Sequence, residues 1–307
     1  MSTLIGASDV MGRLNARLER LAAMSANVLI EGETGTGKEL AARCIHAKSV
    51  RCNGPFVALN CGALPRTLLE SQLFGSARGT FTGASEDRRG LCEEANGGVL
   101  FLDEIGELPL EAQASLLRFL DSGEIMRLGE NHPRHCDVRV IAATNRKLQS
   151  MLESGTFRQD LYYRISMLKV SMPPLASHIE DIGQLARHFL CQIGPGYQLS
   201  DEAVEALRRR QWPGNVRELR NVMWQAAEMA ENHRITANCI PVEYWNSAIT
   251  SPTRQCTNMT EAIEQLRDKM IQQTLQDSNG NMCLAAKKLG IHRNTLRNLL
   301  QRKVVSD

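Results

Sequence analysis

Short apolar runs alternate with helical repeats over the first half of the chain. Leu14, Leu18 and Leu21 recur at helical spacing, and an apolar run at 28–30 then leads into a glycine-rich segment. Strands that alternate with helices predict an α/β fold, in which a parallel sheet is covered on both faces. Further strands are predicted at 56–59, 99–102, 138–142 and 168–170, and helices at 38–47, 68–74 and 110–120.

Pro173 and Pro174 interrupt this alternation, and the pattern after them is helical. Helices are predicted over 179–191, 201–210 and 216–231. Residues 246–258 are polar, contain proline and lack an apolar period, which favours a linker. The predicted parts are an α/β domain over 1–172, an all-helical domain over 173–245, a linker over 246–258 and a third, helical unit over 259–307.

Composition narrows the class of protein. A chain of 307 residues that is 43% hydrophobic and 23% charged can bury a core in two or three domains. The longest apolar runs, at 98–102 and 138–143, are too short to span a membrane, so we expect a cytoplasmic protein without a membrane partner. The nine cysteines show no C-x-x-C or zinc-ligand spacing, which predicts reduced thiols and no structural metal.

The segment GETGTGKE lies between a predicted strand and a predicted helix, the setting of a phosphate-binding loop. Its glycines allow backbone N–H groups to turn inward, and Lys38 can reach the β and γ phosphates of ATP. Glu39 stands where a Ser or Thr would coordinate Mg²⁺, so other groups must hold the metal. The predicted nucleotide-binding residues are Gly32, Glu33, Thr34, Gly35, Thr36, Gly37, Lys38 and Glu39.

A second acidic motif supports this interpretation, since a P-loop match alone also arises by chance. Asp103 and Glu104 end the buried run 99–102, at the strand end where α/β sheets bind ligands. We expect Asp103 to hold Mg²⁺ and Glu104 to polarise the attacking water. Two exposed acids after a strand would be the structural alternative. The Thr144–Asn145 pair ends another predicted strand and is placed to sense the γ phosphate.

Two arginines lie in the segment FRQDLYYR. Arginine stabilises transferred phosphoryl charge well, often when a neighbouring subunit supplies it. Arg158 and Arg164 are therefore candidates for that role, although ordinary surface arginines would give the same pattern.

Together these motifs resemble the bacterial enhancer-binding proteins, AAA+ ATPases that activate RNA polymerase carrying sigma-54. GETGTGKE resembles the Walker A motif of that family, GGVLFLDEIGELP its Walker B, AATN its sensor I and WPGNVRELRN its sensor II. GTFTGA resembles the signature GAFTGA loop. The likeness covers nearly the whole chain, and it implies an AAA+ P-loop ATPase followed by a helical lid and a Fis-type helix-turn-helix domain.

The resemblance assigns further roles at the nucleotide site. It implies that Asn60, in ALNC, restrains Glu104, and that Arg217 is the sensor II arginine of the lid. Arg158 and Arg164 become fingers that act on the neighbouring subunit's nucleotide. Because each site then needs its neighbour, the resemblance implies a ring, usually a hexamer.

The resemblance also implies that the GTFTGA loop contacts sigma-54. An exposed Phe81 would serve as an aromatic anchor, whereas without the resemblance we would expect it to fold back onto its own domain. Thr80 replaces the family's alanine, and a β-branched residue stiffens the loop. Residues 176–178 replace an Arg-Glu-Arg segment, which puts the coupling of hydrolysis to movement in question. The predicted sigma-54 contacts are Gly79, Thr80, Phe81, Thr82, Gly83 and Ala84.

The basic C-terminal segment CLAAKKLGIHRNTLRNLLQR has helix-turn-helix spacing, with Gly290 at the turn, and resembles a Fis-type domain. A helical hairpin without a DNA role is the alternative. Arginine and asparagine suit guanine and adenine edges, while lysines suit phosphates. The predicted contacts to enhancer DNA are Lys287, Lys288, Arg293, Asn294, Thr295, Arg297, Asn298 and Arg302.

The sequence thus predicts a sigma-54-dependent activator that hydrolyses ATP with Mg²⁺ and remodels the sigma-54 holoenzyme from upstream DNA. The ATPase motif begins soon after Met1, so we expect control by a separate regulatory protein or by abundance. One alternative is an AAA+ DNA-binding switch that uses ATP only to assemble, as replication initiators do. A non-hydrolysing adaptor is disfavoured by Glu104, Arg158 and Arg164.

Overall fold

The computed structural model describes residues 4–80 and 87–241, except for the side chains of Arg66 and Thr67. The chain divides at Pro241 into two units, and the first of them is described below. Beyond Pro241 the described residues are Thr274, Met282, Ala286, Gly290 and Thr295.

The strands of the first unit follow the predicted apolar runs, with additional short strands between them. They are β1 (Val28–Glu31), β2 (Phe56–Asn60), β3 (Gly75–Ser76), β4 (Arg88–Arg89), β5 (Val99–Asp103), β6 (Glu124–Ile125), β7 (Arg134–His135), β8 (Arg139–Thr144), β9 (Leu168–Ser171), β10 (Gln198–Leu199) and β11 (Arg234–Ile235).

The helices lie between these strands, and the segment from Ile182 to Pro241 is mainly helical. They are α1 (Asp9–Ala22), α2 (Lys38–Ala47), α3 (Arg66–Phe74), α4 (Leu91–Glu94), α5 (Leu110–Ser122), α6 (Leu148–Glu153), α7 (Gln159–Ile165), α8 (Ile182–Ile193), α9 (Asp201–Arg209) and α10 (Asn215–Glu228).

The main sheet has five parallel strands in the order β2-β5-β8-β1-β9, which confirms the predicted α/β fold. Alternate side chains of a strand point to opposite faces. Leu100 and Leu102 accordingly join the core cluster on one face, and Val99 and Phe101 join the cluster on the other. Both faces of β5 are therefore buried, as its continuous apolar run predicts.

A separate apolar cluster holds the helical part together. It joins α8, α9 and α10, and its largest member, Trp212, donates its indole N–H to the Leu207 carbonyl at 3.0 Å. Ser200 caps α9, because its hydroxyl accepts from the Ala203 N–H at 3.2 Å. We call the part of the chain that contains this cluster the lid.

A buried arginine fastens α1 to the sheet. Arg139, at the start of β8, is 3% exposed and donates to the carbonyls of Leu21 at 2.7 Å and Ala26 at 3.0 Å. The Leu21 carbonyl lies in the last turn of α1, where carbonyls lack intrahelical donors and the negative end of the helix dipole is found, and Ala26 lies between α1 and β1. Burial lowers the pKa of Arg139, with the Arg51 charge contributing to the same shift.

The sequence pattern did not predict the short ladders. β3 pairs with β4 and β6 pairs with β7, both antiparallel, and β10 pairs with β11. Across the described part of the chain every cysteine is a free thiol, and no cluster of His, Cys, Asp and Glu forms a metal site. No helix in that part combines the length and the apolar character that a membrane crossing requires.

Candidate functional site

Parallel pairing brings the predicted nucleotide-site side chains to one edge of the sheet. Asn60 of β2 is in register with Asp103 of β5, and Glu31, just before the P-loop, is in register with Thr144 of β8. The carboxyl ends of these strands therefore face the same space. We call this cluster, together with residues 32–39, the nucleotide edge.

Glycine conformations shape the P-loop. Gly35 has φ +82°, and Gly37 has φ +91° immediately before α2. The Lys38 ammonium group, on a residue 9% exposed, donates to the carbonyls of Gly32 at 2.9 Å and Glu33 at 3.0 Å. Burial lowers the pKa of Lys38, while the carboxylates of Asp103 and Glu104 act in the opposite direction. The lysine charge is thus held inside the loop, in position to exchange these carbonyls for phosphate oxygens.

Glu104 adopts a left-handed backbone at the end of β5. Its φ is +54°, and its N–H donates to the Asp103 carboxylate at 3.0 Å. A non-glycine residue in this region costs about 1–3 kcal/mol. The turn aims the Glu104 carboxylate toward β2, where a β-carbon at Gly62 would lie 2.1 Å from Glu104 Oε2 and 3.3 Å from Asn60 Oδ1. Asn60 Oδ1 also accepts from the Gly62 N–H at 2.8 Å, so the side chains of Asn60 and Glu104 both lie against one glycine.

A cysteine at the same edge is kept as a neutral thiol. Burial, followed by the charges of Asp103 and Glu104, raises the pKa of Cys61 to about 12. Its backbone N–H donates to the Asp103 carbonyl at 2.9 Å, which fixes β2 against β5 next to the acids.

The two predicted γ-phosphate sensors have different surroundings. Asn145 donates its amide to the Thr34 hydroxyl at 3.0 Å and so touches the P-loop directly. Thr144 is 1% exposed, and its hydroxyl accepts from the Arg146 N–H at 3.0 Å. Asn145 is therefore the member of the pair whose side chain contacts the P-loop.

The lid contacts the P-loop at the start of α10. The Arg217 N–H donates to the Gly35 carbonyl at 3.2 Å, and the Arg217 charge contributes to lowering the pKa of Lys38. The neighbouring Asn215 donates its side-chain amide to Glu33 Oε2 at 3.0 Å and to the Thr34 carbonyl at 3.1 Å. Sequence reasoning singled out Arg217 and missed Asn215. The sequence signal for Asn215 is its position directly after Gly214 at the start of a helix, where Asn tolerates a positive φ.

A cavity of about 450 Å³ continues from the P-loop between α1, the end of the sheet and the lid. It is predominantly apolar, as nucleoside sites are. Its lining comes from segments far apart in the chain, so no local sequence pattern predicts it. Thr36 and Gly37 line it from the P-loop, Met172 from the strand end, and Phe189 and Val216 from the lid.

The two predicted finger arginines are partly exposed on α7 and beside it. Arg158 pairs with Asp160 at 2.7 Å. Arg164 donates to the Leu120 carbonyl at 2.8 Å and pairs with Asp121 at 3.1 Å. Within the described residues these contacts lie on α5 and α7 rather than on the P-loop. The roles of both arginines remain predictions.

The segment after the proline pair binds the residues that precede α1. Asp181 accepts from the Ser8 hydroxyl at 2.6 Å and from the N–H groups of Ala7 and Ser8 at 2.8 and 3.0 Å. Burial alone would raise the pKa of Asp181, but these hydrogen bonds and the nearby His178 hold it below its usual range. His178 itself is 3% exposed and lines the cavity.

Hydrogen bonds hold the described residues that flank the GTFTGA motif. Of the residues of the motif, Gly79 and Thr80 are described, whereas Phe81, Thr82, Gly83 and Ala84 lie outside the described residues. The Ala77 N–H donates to the Leu128 carbonyl at 2.9 Å, and the Leu128 N–H donates to the Gly75 carbonyl at 3.0 Å. We call residues 75–80, 87–90 and 127–130 the loop base.

A buried ion pair and a hydroxyl secure the loop base. Arg127 donates to both carboxylate oxygens of Glu93, at 2.7 and 2.8 Å. The Thr80 hydroxyl donates to the carbonyls of Ala77 at 2.6 Å and Leu128 at 3.0 Å. A β-carbon at Gly129 would lie 2.6 Å from that hydroxyl oxygen. Thr80 thus restrains the loop through a hydrogen bond, in addition to the stiffness that β-branching predicts.

Most predicted DNA-contacting residues, from Lys287 to Arg302, lie outside the described part. Thr295 is described: its backbone is helical and its side chain is exposed. Gly290 has φ +66° in a turn, as a helix-turn-helix glycine requires, and Ala286 is 3% exposed.

Three family matches divide the chain. Residues 4–171 match the "Sigma-54 interaction domain", which is more than half of the chain. Residues 176–256 match the "AAA+ ATPase lid domain", and residues 262–302 match "Bacterial regulatory protein, Fis family".

Individual relatives agree with these matches. The regulatory protein AtoC of Escherichia coli (strain K12) is 43% identical over 92% of this chain, which spans 63% of AtoC. The transcriptional regulator NtrC of Bradyrhizobium is 40% identical over 96% of this chain and 68% of that protein. NtrX of Brucella abortus, solved with ADP, has a TM-score of 0.73 at 33% identity over 98% of this chain and 69% of the solved chain. The replication-initiator alternative is not favoured by these relatives.

Proposed function

Because the chain belongs to the sigma-54 interaction family of AAA+ ATPases, we propose that it is a transcription activator that uses ATP hydrolysis to remodel sigma-54 RNA polymerase holoenzyme into the open complex. The observation that carries this proposal is the convergence of Lys38, Asp103, Glu104, Asn145 and Arg217 on one P-loop, in a chain whose sequence also contains the GTFTGA motif. A nucleotide-binding module alone would not need that motif.

ATP occupies the nucleotide edge in this proposal. Its phosphates lie in the P-loop near Lys38, and its base and ribose enter the 450 Å³ cavity. Glu104 holds the attacking water and accepts its proton at a carboxylate oxygen. Asn60 lies next to that carboxylate at Gly62, and it restrains the carboxylate until the γ phosphate is in place. Arg217 approaches from the lid, and Thr144 and Asn145 report on the γ phosphate.

The donor set fits Mg²⁺. Asp103 offers a carboxylate at the end of β5, and oxygen ligands are those that Mg²⁺ prefers. Glu39 instead pairs with Arg43 at 2.8 Å on the exposed side of α2. Asp103 and the ATP phosphates are therefore the groups that would hold the ion. When bound, it neutralises phosphate charge.

The remaining partners follow from the family. A homo-oligomeric ring, usually a hexamer, would let Arg158 and Arg164 reach the neighbouring nucleotide. The Fis-type segment would bind upstream enhancer DNA through residues 287–302. The site of action is the cytoplasm, where DNA and polymerase meet.

Open-complex formation on a sigma-54 promoter in vitro tests the proposal. The wild type should hydrolyse ATP and activate. Glu104→Gln should bind ATP without hydrolysing it, and Phe81→Ala should hydrolyse ATP without activating. Normal activation by Phe81→Ala would show that the loop is not the contact to sigma-54, and failure of the wild type to activate any sigma-54 promoter would refute the proposal itself.

A further inference from the structure

Asn215 is a fully buried polar residue at the first position of α10. Its relative exposure is 0%, and its φ is +52°. Asn is one of the few residues that tolerate this left-handed region, because its short side chain can bond locally. Here, however, the side chain bonds to distant segments, so the conformation serves a long-range contact.

The side-chain amide of Asn215 joins three parts of the molecule. Its NH₂ group donates to Glu33 Oε2 at 3.0 Å and to the Thr34 carbonyl at 3.1 Å, both in the P-loop. Its oxygen accepts from the Leu175 N–H at 2.8 Å, in the connection from sheet to lid. Both donors and one acceptor position are thus used, and losing a partner would leave a buried polar group unsatisfied.

Two backbone contacts reinforce the same junction. The Arg217 N–H bonds to the Gly35 carbonyl at 3.2 Å. A β-carbon at Gly35 would lie 2.2 Å from the Gly214 carbonyl oxygen. The first turn of α10 therefore rests directly on the phosphate-binding turn, and a movement of that turn has to move the helix that carries Arg217.

The geometry points to Asn215 as a positioning residue for ATP binding and hydrolysis, one that ties the lid to residues Glu33 and Thr34 of the P-loop and thereby sets the place of Arg217. This inference rests on the proposed ATPase function. It assigns to Asn215 a role that Arg217 alone cannot fill, because an arginine can act on phosphate only when its helix is correctly placed.

Asn215→Asp isolates the contact. The introduced carboxylate has the same shape and still accepts from the Leu175 N–H, but it cannot donate to the Thr34 carbonyl and it repels the Glu33 carboxylate. Glu33→Gln in the same chain should restore one bond in the reverse direction, with the introduced amide as donor. The measurements are kcat and KM for ATP hydrolysis, and the Kd of a fluorescent ATP analogue.

Ser200→Ala is the matched control, because it removes the hydrogen bond from the Ala203 N–H at 3.2 Å that caps α9 within the lid, and Ser200 is not among the residues that line the cavity. It should lower the melting temperature and leave the KM for ATP unchanged. Asn215→Asp should raise both KM and Kd by about tenfold and lower kcat, since bonds to charged groups carry this magnitude. The double variant should return Kd to within about threefold of Glu33→Gln alone.

Two outcomes overturn the inference. One is an unchanged Kd in Asn215→Asp, and the other is a double variant as impaired as Asn215→Asp itself. If the wild type binds the analogue but does not hydrolyse ATP, the proposed function fails, while the order of the Kd values still decides the role of Asn215.

Discussion

The nucleotide edge and the loop base both hold a glycine-rich segment in place, but they do so with different chemistry. At the nucleotide edge a buried lysine, acids and glycine turns converge, and each residue type is the one that phosphate and Mg²⁺ require. At the loop base, backbone pairing, the ion pairs of Arg127 with Glu93 and Glu130, and the Thr80 hydroxyl hold the segment. The first region is readable from sequence motifs because its residue types are adjacent in sequence, whereas the second is held largely by backbone hydrogen bonds, which leave no sequence motif.

Lys38→Ala should break the nucleotide edge and leave the loop base intact. It removes the charge that meets the phosphates and leaves the Gly32 and Glu33 carbonyls without their donor. We expect ATP hydrolysis to fall by roughly 1,000-fold, as for other groups that contact transferred phosphoryl. Lys48→Ala is the control, since Lys48 forms an exposed ion pair with Glu19 at the other end of α2. An equal loss in both variants would contradict the assignment.

Arg127→Ala should do the reverse. Arg127 and Glu93 form an ion pair whose side chains are 8% and 14% exposed, and removing one partner of a buried pair costs about 3 kcal/mol. Urea unfolding should show this loss, while the Kd for ATP stays unchanged. Arg208→Ala, which breaks an exposed pair with Glu205, should cost under about 1 kcal/mol. Similar losses from both variants would mean that burial does not set the strength of the Arg127 pair.

The two regions should also fail at opposite ends of the pH scale. The hydrogen bond from Arg127 lowers the pKa of Glu93, so this pair stabilises the fold above the ordinary Glu pKa of about 4.3 and is lost as pH falls below it. Burial lowers the pKa of Lys38, so phosphate affinity should decline with rising pH sooner than for an ordinary lysine. The acid side is measured by the free energy of unfolding from pH 7 to 3, and the alkaline side by the Kd for ATP from pH 7 to 10. In Arg127→Ala the free energy of unfolding should depend less on pH between 7 and 3.

Substitutions of Thr80 should have the smallest effect. They distinguish two ways in which Thr80 could restrain the loop, the hydrogen bond of its hydroxyl and its β-branched shape. Thr80→Val keeps the β-branched shape and removes the hydroxyl, whereas Thr80→Ser keeps the hydroxyl. The Thr80 N–H itself bonds to the Ala77 carbonyl at 3.3 Å. Its hydrogen exchange should accelerate by about threefold in Thr80→Val, which corresponds to one modest hydrogen bond, and stay near wild type in Thr80→Ser. The opposite order would make β-branching the cause.

Local, contiguous signals made the fold and much of the nucleotide edge predictable. The apolar run of β5 specifies a strand buried on both faces, and the glycines and Lys38 of the P-loop are adjacent in sequence. Asn215 escaped prediction because its partners, Glu33 and Leu175, are far from it in the chain. The two-residue ladders β3/β4 and β6/β7 are too short to produce a period, and the cavity is lined by scattered segments.

The left-handed backbone of Glu104 has a consequence for directed evolution. At φ +54° a glycine relieves strain of about 1–3 kcal/mol, so Glu104→Gly is among the substitutions that a selection for heat resistance alone would enrich. The same substitution removes the carboxylate to which we assign hydrolysis. A library screened only for thermal tolerance should therefore accumulate variants that are stable but do not hydrolyse ATP, and a stabilised version of this protein has to be selected for ATP hydrolysis at every round.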